Sequence, residues 1–474
     1  MGRFLNTQKR AEDPPAKAPQ PIANDLAPAP TPATVSAAQE ENPSAIHWLG
    51  MWGLCFYSVS WLAVEFSIRA FGGNPHLAMI DLIGMFGAFL ITGGVFRSLR
   101  DKVGRIWWGF LIWLLVCIPF STWRTGSILM LTDYIPRSHM LLFFLSAFLL
   151  NLKQCRIFML FSALSSYCLL LWCYLHGVMD PASGRLMIPG SLFYANANDL
   201  GSQLVISLGS LLYLCTQRSL FFRVCGLIGF PITLLYLLKT GSRGSAVACV
   251  AFAAVAFFYS RGMAKIIVIA GVVATLAVAV VIIPSSALSR LALVFLHPEE
   301  EVRSEQDYSQ QQIHDIGSQI ARWQLLKLSV WYTVTNPVFG VGPGVFVERV
   351  AGDDAKKSQR SGWVGTHNSY TQVSSESGLP GAFCYIAVLW LTLRTARRLL
   401  AQSRDHPALS EVNKMAFSLL SMTATFAVSA LFHHIAFTGY LALLAGQVLA
   451  LGRASQPLLE RSGRLVNPSR PDQL

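Results

Sequence analysis

The residues best suited to chemistry in this sequence form a polar string at 367–378, His-Asn-Ser-Tyr-Thr-Gln-Val-Ser-Ser-Glu-Ser-Gly. The string contains two groups that exchange protons, His367 and Glu376, and it lies directly before an apolar run. Histidine titrates near neutral pH and therefore suits proton abstraction from a hydroxyl. The string predicts a site at the edge of a membrane, with His367 as its base.

Glu376 is the rival base. It follows His367 by nine residues, which is about 900° on a continuous α-helix, so the two side chains would lie on opposite faces. Both could address one cavity only if the helix is broken between them. We expect Glu376 to pair instead with backbone N–H groups or with a cation.

Arg322 lies within a helix predicted over 316–333. Its position falls outside the apolar stripe of that helix, so it can face a polar cavity. The helix should end before Asn336-Pro337, because the residue before proline is disfavoured in helical conformation. The glycine-rich segment 340–344 that follows is more typical of a turn than of a phosphate cradle.

Two further polar groups are predicted on the same membrane face. Lys239 and Arg243 flank a Gly-Ser turn on the side that should be poor in positive charge, which favours anion binding. Asn198 and Asp199 lie at the outer start of the predicted span 198–216, where they either line the site or cap the helix.

Together these groups predict one outer site. Guanidinium groups stay charged and offer paired donors to a diphosphate, while His367 would accept a proton. The combination indicates group transfer from a lipid diphosphate.

Composition identifies the surroundings of that site. The chain is 53% hydrophobic and 13% charged, with a mean hydropathy of +0.46, which predicts an all-α polytopic membrane protein with about twelve transmembrane helices. The predicted spans are 47–71, 75–96, 106–122, 137–152, 155–176, 198–216, 223–238, 244–260, 264–284, 379–393, 411–431 and 435–452.

Lys and Arg collect on alternate loops, so both termini should be cytoplasmic and the large loop 285–378 periplasmic. Residues 46–284 would hold the first nine spans and 379–452 the last three. The Ala/Pro-rich residues 1–45 should be disordered, and 453–474 form a second cytoplasmic tail. Because the net charge of +12 comes mostly from the inner loops, it gives no indication of a nucleic-acid partner.

Neither disulfides nor a metal site are expected. All nine cysteines lie within spans or at their ends. The adjacent His433 and His434 lack the i, i+4 spacing that places two ligands on one helix face. We assign no metal and no cofactor.

The motifs as a set resemble the O-antigen ligase and polymerase superfamily of bacterial cell-envelope glycosyltransferases. The resemblance covers roughly residues 190–382. It is carried by 367–370 (His-Asn-Ser-Tyr), 376–381 (Glu-Ser-Gly-Leu-Pro-Gly), 337–344 (Pro-Val-Phe-Gly-Val-Gly-Pro-Gly), 322–323 (Arg-Trp), 242–244 (Ser-Arg-Gly) and 198–200 (Asn-Asp-Leu).

The resemblance implies a type C glycosyltransferase fold whose large periplasmic loop contains short helices. It implies transfer of a glycan from undecaprenyl diphosphate to an acceptor hydroxyl at the periplasmic face of the bacterial inner membrane, without metal. Arg243 and Arg322 would hold the diphosphate, and His367 would activate a lipid or glycan acceptor. By the same resemblance Asn198, Asp199, Tyr370 and Glu376 would be site-lining or structural positions. The substrate-binding candidates are these four residues together with Lys239 and Asn368.

Three alternatives remain at this stage. A polymerase that lengthens the glycan would share these motifs. A polysaccharide flippase or transporter would also have about twelve spans, but it should place ionisable groups near the bilayer midplane in two related halves. A noncatalytic assembly partner would need neither His367 nor the arginines.

Overall fold

The computed structural model describes residues 43–62, 76–181, 183–191, 194–282, 310–356 and 365–466. Most of the predicted N-terminal tail, the first part of the predicted outer loop and the end of the C-terminal tail lie outside the described residues. The described residues are almost entirely helical. One two-stranded antiparallel sheet pairs β1 (Val178–Met179) with β2 (Leu186–Met187).

The first eight helices are α1 Ala45–Leu62, α2 His76–Ile91, α3 Gly94–Ser98, α4 Lys102–Cys117, α5 Arg124–Tyr134, α6 Leu141–Phe148, α7 Leu152–His176 and α8 Ala197–Cys215. The next are α9 Leu220–Lys239, α10 Arg243–Tyr259, α11 Met263–Ile282, α12 Gln310–Thr335, α13 Phe346–Lys356, α14 Ser369–Ser403, α15 Ser410–Ser429 and α16 Tyr440–Val466. A π-helical turn, Ile135–His139, joins α5 to α6.

Each of the predicted spans overlaps one of these helices. Within the described ranges, five helical segments are both long and apolar enough to cross a membrane: Lys102–Phe120, Arg124–Phe148, Leu152–His176, Leu220–Lys239 and Ser369–Ser403. A membrane protein is therefore supported, while the number of crossings and the side of the large loop stay predictions.

The helix α8 lies at the centre of the bundle and is buried along most of its length. It packs against α7, α9, α10 and α15. Close approach depends on small residues: a Cβ on Gly209 would overlap Met422 of α15, and one on Gly201 would lie 2.6 Å from the Ser245 hydroxyl of α10. This packing brings the N-terminal ends of α8 and α10 together.

The helix α12 is longer than predicted, because it begins at Gln310, although it ends at Thr335 as expected before Asn336-Pro337. With 26 residues it is longer than the short helices expected in the large loop, whereas α13, with 11 residues, fits that expectation. The helix α12 packs against α14. The hydroxyls of Thr333 and Ser374 are hydrogen-bonded across this contact, 2.8 Å apart.

The helix α14 begins at Ser369, ten residues before the predicted span, and it is interrupted. Gly378 has φ 71° and ψ −177°, and Pro380 follows it. The sequence argument about His367 and Glu376 assumed one continuous helix through both residues. That helix is not present, because His367 lies before the start of α14 and the helix is interrupted just after Glu376.

Candidate active site

His367 lies in a left-handed backbone conformation, with φ 51°. A non-glycine residue adopts this region at some energetic cost, so the surrounding contacts must enforce it. Asn368 provides part of that enforcement as the N-cap of α14. Its Oδ1 accepts hydrogen bonds from the backbone N–H groups of Tyr370 at 2.9 Å and Thr371 at 3.1 Å.

The start of α14 is fastened to the loop between α15 and α16, residues 430–439. The Ser369 hydroxyl donates to the carbonyl of His433 at 2.6 Å and accepts from the N–H of Ile435 at 2.9 Å. The Tyr370 hydroxyl donates to the carbonyl of Ala427 at 2.8 Å. The structural role of Asn368 and Tyr370 is therefore to hold His367 in place, and substrate binding by them stays a prediction.

This fastening places two more histidines beside His367. The ring of His434 lies edge-on to that of His367, with centroids 5.2 Å apart. Its Nδ1 is buried and has no hydrogen-bond partner among the residues that the structure describes. The Nδ1 of His433 lies 2.9 Å from the carbonyl of Ser429, so its ring is held from the α15 side.

The electrostatic surroundings of His367 favour its neutral form. Its pKa is lowered to about 3, first by burial and then, in decreasing order of size, by the neighbouring His434, Arg322 and His433. Burial likewise lowers the pKa of His433 to about 4. Arg322 is therefore within electrostatic range of the His367 and His433 rings. A site that contains both Arg322 and His367 requires this proximity.

A second arginine, Arg185, joins the same region from the loop before α8. Its NH2 donates to Oδ1 of Asn198 at 2.7 Å, and its Nε donates to the carbonyl of Thr240 at 2.8 Å. Its charge reaches His433, while Asp199 interacts electrostatically with His434. Asn198 and Asp199 therefore both lie in one polar cluster with His367, His433, His434, Arg185 and Arg322.

Neither Asn198 nor Asp199 caps α8. The cap is Asn196, whose Oδ1 accepts from the N–H of Asn198 at 2.9 Å. Capping by Asn198 or Asp199, one of the two alternatives from sequence, is thus wrong. The cap sits earlier because a capping side chain reaches N–H groups two or three residues ahead of it.

Arg243 is the first residue of α10, which Ser242 caps. A Cβ on the adjacent Gly244 would lie 2.8 Å from the His433 ring, so this helix end lies directly against the loop that carries the histidines. Lys239, by contrast, is exposed and lies over the ring of Tyr236 in its own helix, with Nζ 6.0 Å from the centroid. The structure brings Arg243 to the cluster more closely than Lys239.

Glu376 serves the glycine-rich turn. Its Oε2 accepts from the N–H of Gly344 at 2.7 Å, and its side chain is 3% exposed. The backbone N–H groups of Val341 and Gly342 donate to the carbonyls of Ser375 and Glu376. The prediction that Glu376 pairs with backbone groups is confirmed, and the glycine segment acts as a turn that docks on α14.

Comparison with known protein families bears on these same elements. Residues 228–386 match the family described as O-Antigen ligase. The predicted resemblance is confirmed. The O-antigen ligase region includes Arg243, Arg322 and His367, whereas Arg185 and the two histidines after α15 lie outside it. No curated protein matches the chain.

Sequence reasoning missed three members of the cluster around the O-antigen ligase region: Arg185, His433 and His434. The predicted topology contained the signal, because it places the loops 177–197 and 432–434 on the same outer side as His367. Ionisable residues so close to apolar spans should have been treated as candidates there. Among the described residues no group of three or more His, Cys, Asp or Glu forms a metal-type cluster, and metal independence stays a prediction.

Proposed function

We propose that this protein is an O-antigen ligase-like glycosyltransferase of the bacterial inner membrane. It moves a polysaccharide from undecaprenyl diphosphate to an acceptor hydroxyl, on lipid A core or a related glycan, at the periplasmic face. The single observation that carries the proposal is His367, held neutral in an enforced backbone conformation within the electrostatic range of Arg322. The match of residues 228–386 supports the same class of enzyme.

The reaction uses these groups in complementary ways. The acceptor oxygen attacks the anomeric carbon while its proton passes to the neutral imidazole of His367. The bond between that carbon and the diphosphate oxygen breaks, and its electron pair leaves with undecaprenyl diphosphate. Arg322 and Arg243 stabilise the negative charge that develops on this leaving group. No redox partner is required.

Donor binding would also strengthen the base. In the protein as described, the positive charge of Arg322 contributes to the low pKa of His367. A bound diphosphate brings negative charge beside both groups, which favours the protonated imidazole and raises the pKa of His367. The base therefore becomes effective only when the donor is present, which limits unproductive chemistry in the empty site.

The experiment is transfer in a purified system with a glycan linked to undecaprenyl diphosphate, candidate acceptors and a chelator. The wild-type protein is compared with His367→Ala and with the matched control His406→Ala, since His406 lies at the far end of α14, before Pro407. We expect glycan on lipid A core with the wild type and the control, and none with His367→Ala.

Other products would redirect the proposal. Longer chains that remain on the lipid diphosphate would make the protein a polymerase. Glycolipid that crosses the bilayer of proteoliposomes, without transfer to any acceptor, would replace the enzyme by a transporter. Loss of transfer after addition of chelator would contradict the metal-independent mechanism.

A further inference from the structure

The helix α12 exposes a broad apolar face although it belongs to the large loop. Trp323 is 52% exposed, Trp331 61% and Val334 67%, with Val330 beside them. At about 100° per residue, these four side chains fall within roughly a 100° arc. Side chains of this size are usually buried, so a continuous exposed face of them marks an interaction surface.

The other two faces of α12 are already occupied. On one side, Leu325, Leu328 and Tyr332 pack against the small apolar cluster formed with Val345 and Phe346 of the following turn and α13. On a second side, Ser329 is fully buried and Thr333 contacts Ser374 of α14, as described above. Arg322 lies on this second side by helical periodicity. The exposed tryptophan face is therefore the third side.

That face continues into the apolar surface of a membrane-spanning segment. At the end of α12, the carbonyl of Pro337 accepts from the N–H of Leu379 at 2.8 Å. Val338 and Leu379 are both exposed at this junction, and Phe383 and Trp390 extend the exposed stripe along α14. Because Ser369–Ser403 is long and apolar enough to cross a membrane, lipid is the medium that meets this stripe.

Composition distinguishes a helix that lies on a bilayer from one that spans it. In sequence, α12 opens on the polar residues Gln310, Gln311, Gln312, His314 and Asp315, and the helix is not among the candidate spans found in the described part of the chain. Lys327 lies on the tryptophan side, with Nζ 5.2 Å from the centroid of the Trp323 ring. Tryptophan with a neighbouring lysine is typical of the headgroup boundary.

We propose that the tryptophan face of α12 (Trp323, Val330, Trp331 and Val334) lies in the headgroup boundary of the lipid bilayer, beside the exposed stripe of α14. Arg322 follows the same helix and is thereby held at the depth of lipid phosphate groups. The placement of Arg322 for donor binding rests on the proposed function, because a lipid-linked diphosphate would enter at that depth. The membrane contact of α12 does not rest on the proposed function.

The contact is tested by photo-crosslinking in proteoliposomes of phosphatidylethanolamine and phosphatidylglycerol. The photoreactive residue p-benzoylphenylalanine replaces Trp331, with Phe383 as the lipid-facing reference and the exposed Gly352 of the polar helix α13 as the aqueous reference. We expect lipid adducts at 331 and 383 but not at 352. Adducts at 331 to a second copy of the chain, or no adducts there while 383 reacts, would overturn the proposal.

A kinetic test separates this proposal from the glycosyltransferase itself. The double variant Trp323→Ser, Trp331→Ser is compared with the exposed control Thr335→Ser, using donors with a full-length and a short isoprenoid chain. We expect KM to rise several-fold for the full-length donor only, with kcat kept, and Trp331→Leu to retain most of the wild-type KM. Equal KM for all variants would contradict the guidance of the donor by α12. Absence of transfer in the wild type would contradict the proposed function, and the crosslinks would then decide the membrane contact of α12.

Discussion

The His434 ring meets the His367 ring edge-on, with centroids 5.2 Å apart, although 67 positions of sequence separate them. The charge of Arg322 reaches His367, and Asp199 interacts electrostatically with His434 from α8. A base that must stay neutral before the donor arrives is well served by the neighbouring Arg322 guanidinium. The pair therefore gives the proposed base a setting that can be tested residue by residue.

Replacement of the base should remove most of the transfer activity. We expect His367→Ala to lower kcat about 10²-fold to 10⁴-fold, the usual contribution of general base catalysis. Membrane insertion and abundance should be unchanged. The measurement is single-turnover transfer with purified protein, and a variant as active as the His406→Ala control would remove His367 from the mechanism.

The two arginines should not tolerate lysine. Arg322→Lys and Arg243→Lys keep the charge but lose the planar pair of donors that matches a diphosphate. We expect each variant to lose transfer, with donor binding weakened in a direct binding assay. Wild-type kinetics in either lysine variant would mean that charge alone suffices at that position.

The pH dependence should differ between the empty enzyme and the donor complex. His367 acts only when neutral, that is, above its pKa, which is lowered to about 3. The acid limb of kcat/KM reports the empty enzyme and should therefore lie far below pH 6.5. The acid limb of kcat reports the complex, where bound diphosphate raises the pKa of His367, so it should lie at higher pH. Coincident limbs would contradict activation by the donor.

Replacement of His434 should change the pKa of the proposed base, His367. His434 is the largest electrostatic contribution after burial to the lowered pKa of His367. His434→Phe keeps an aromatic ring and removes the interaction that lowers the pKa of His367, so this pKa should rise and the acid limb of kcat/KM should move to higher pH. His176→Phe, which changes a histidine in tilted ring contact with Trp172 of α7, is the control and should leave the profile in place.

Glu376 should prove structural. Glu376→Ala leaves the buried N–H of Gly344 without its acceptor, which costs about 1–3 kcal/mol. Glu376→Gln retains an acceptor oxygen and should lose less stability. Thermal unfolding in detergent measures the difference, and transfer activity should follow the folded fraction. Full stability with no activity in Glu376→Gln would instead indicate a chemical role.

The break in α14 should require glycine. A Cβ at Gly378 would collide with the carbonyl of Val338, and the residue has φ 71°. We expect Gly378→Ala to destabilise the protein by about 3 kcal/mol or more, from left-handed strain and overpacking together. Gly87→Ala in α2 is the control, because a Cβ there meets nothing within 4 Å, and it should be neutral or slightly stabilising.

Several parts of the site were predictable because they depend on neighbours in the chain. Proline geometry predicts that α12 ends before Asn336-Pro337, and glycine content predicts the turn at 340–344. The pairing of Glu376 with backbone follows from the high cost of an unpaired buried carboxylate. The alternative in which Asn198 or Asp199 caps α8 placed the cap two or three residues too late, since several polar residues in a row can cap and only the backbone path selects one.

Composition and helical period were enough to predict that the chain is helical and apolar enough for a membrane, and which polar residue types can act on a diphosphate and a hydroxyl. These properties are local. The fold was needed to show that His367 precedes α14 in a left-handed conformation, that Arg185 and His434 lie in the same region, and that one face of α12 remains uncovered. Those relationships depend on which helix ends pack together, and contacts between residues far apart in the chain are not encoded in the spacing of any one segment.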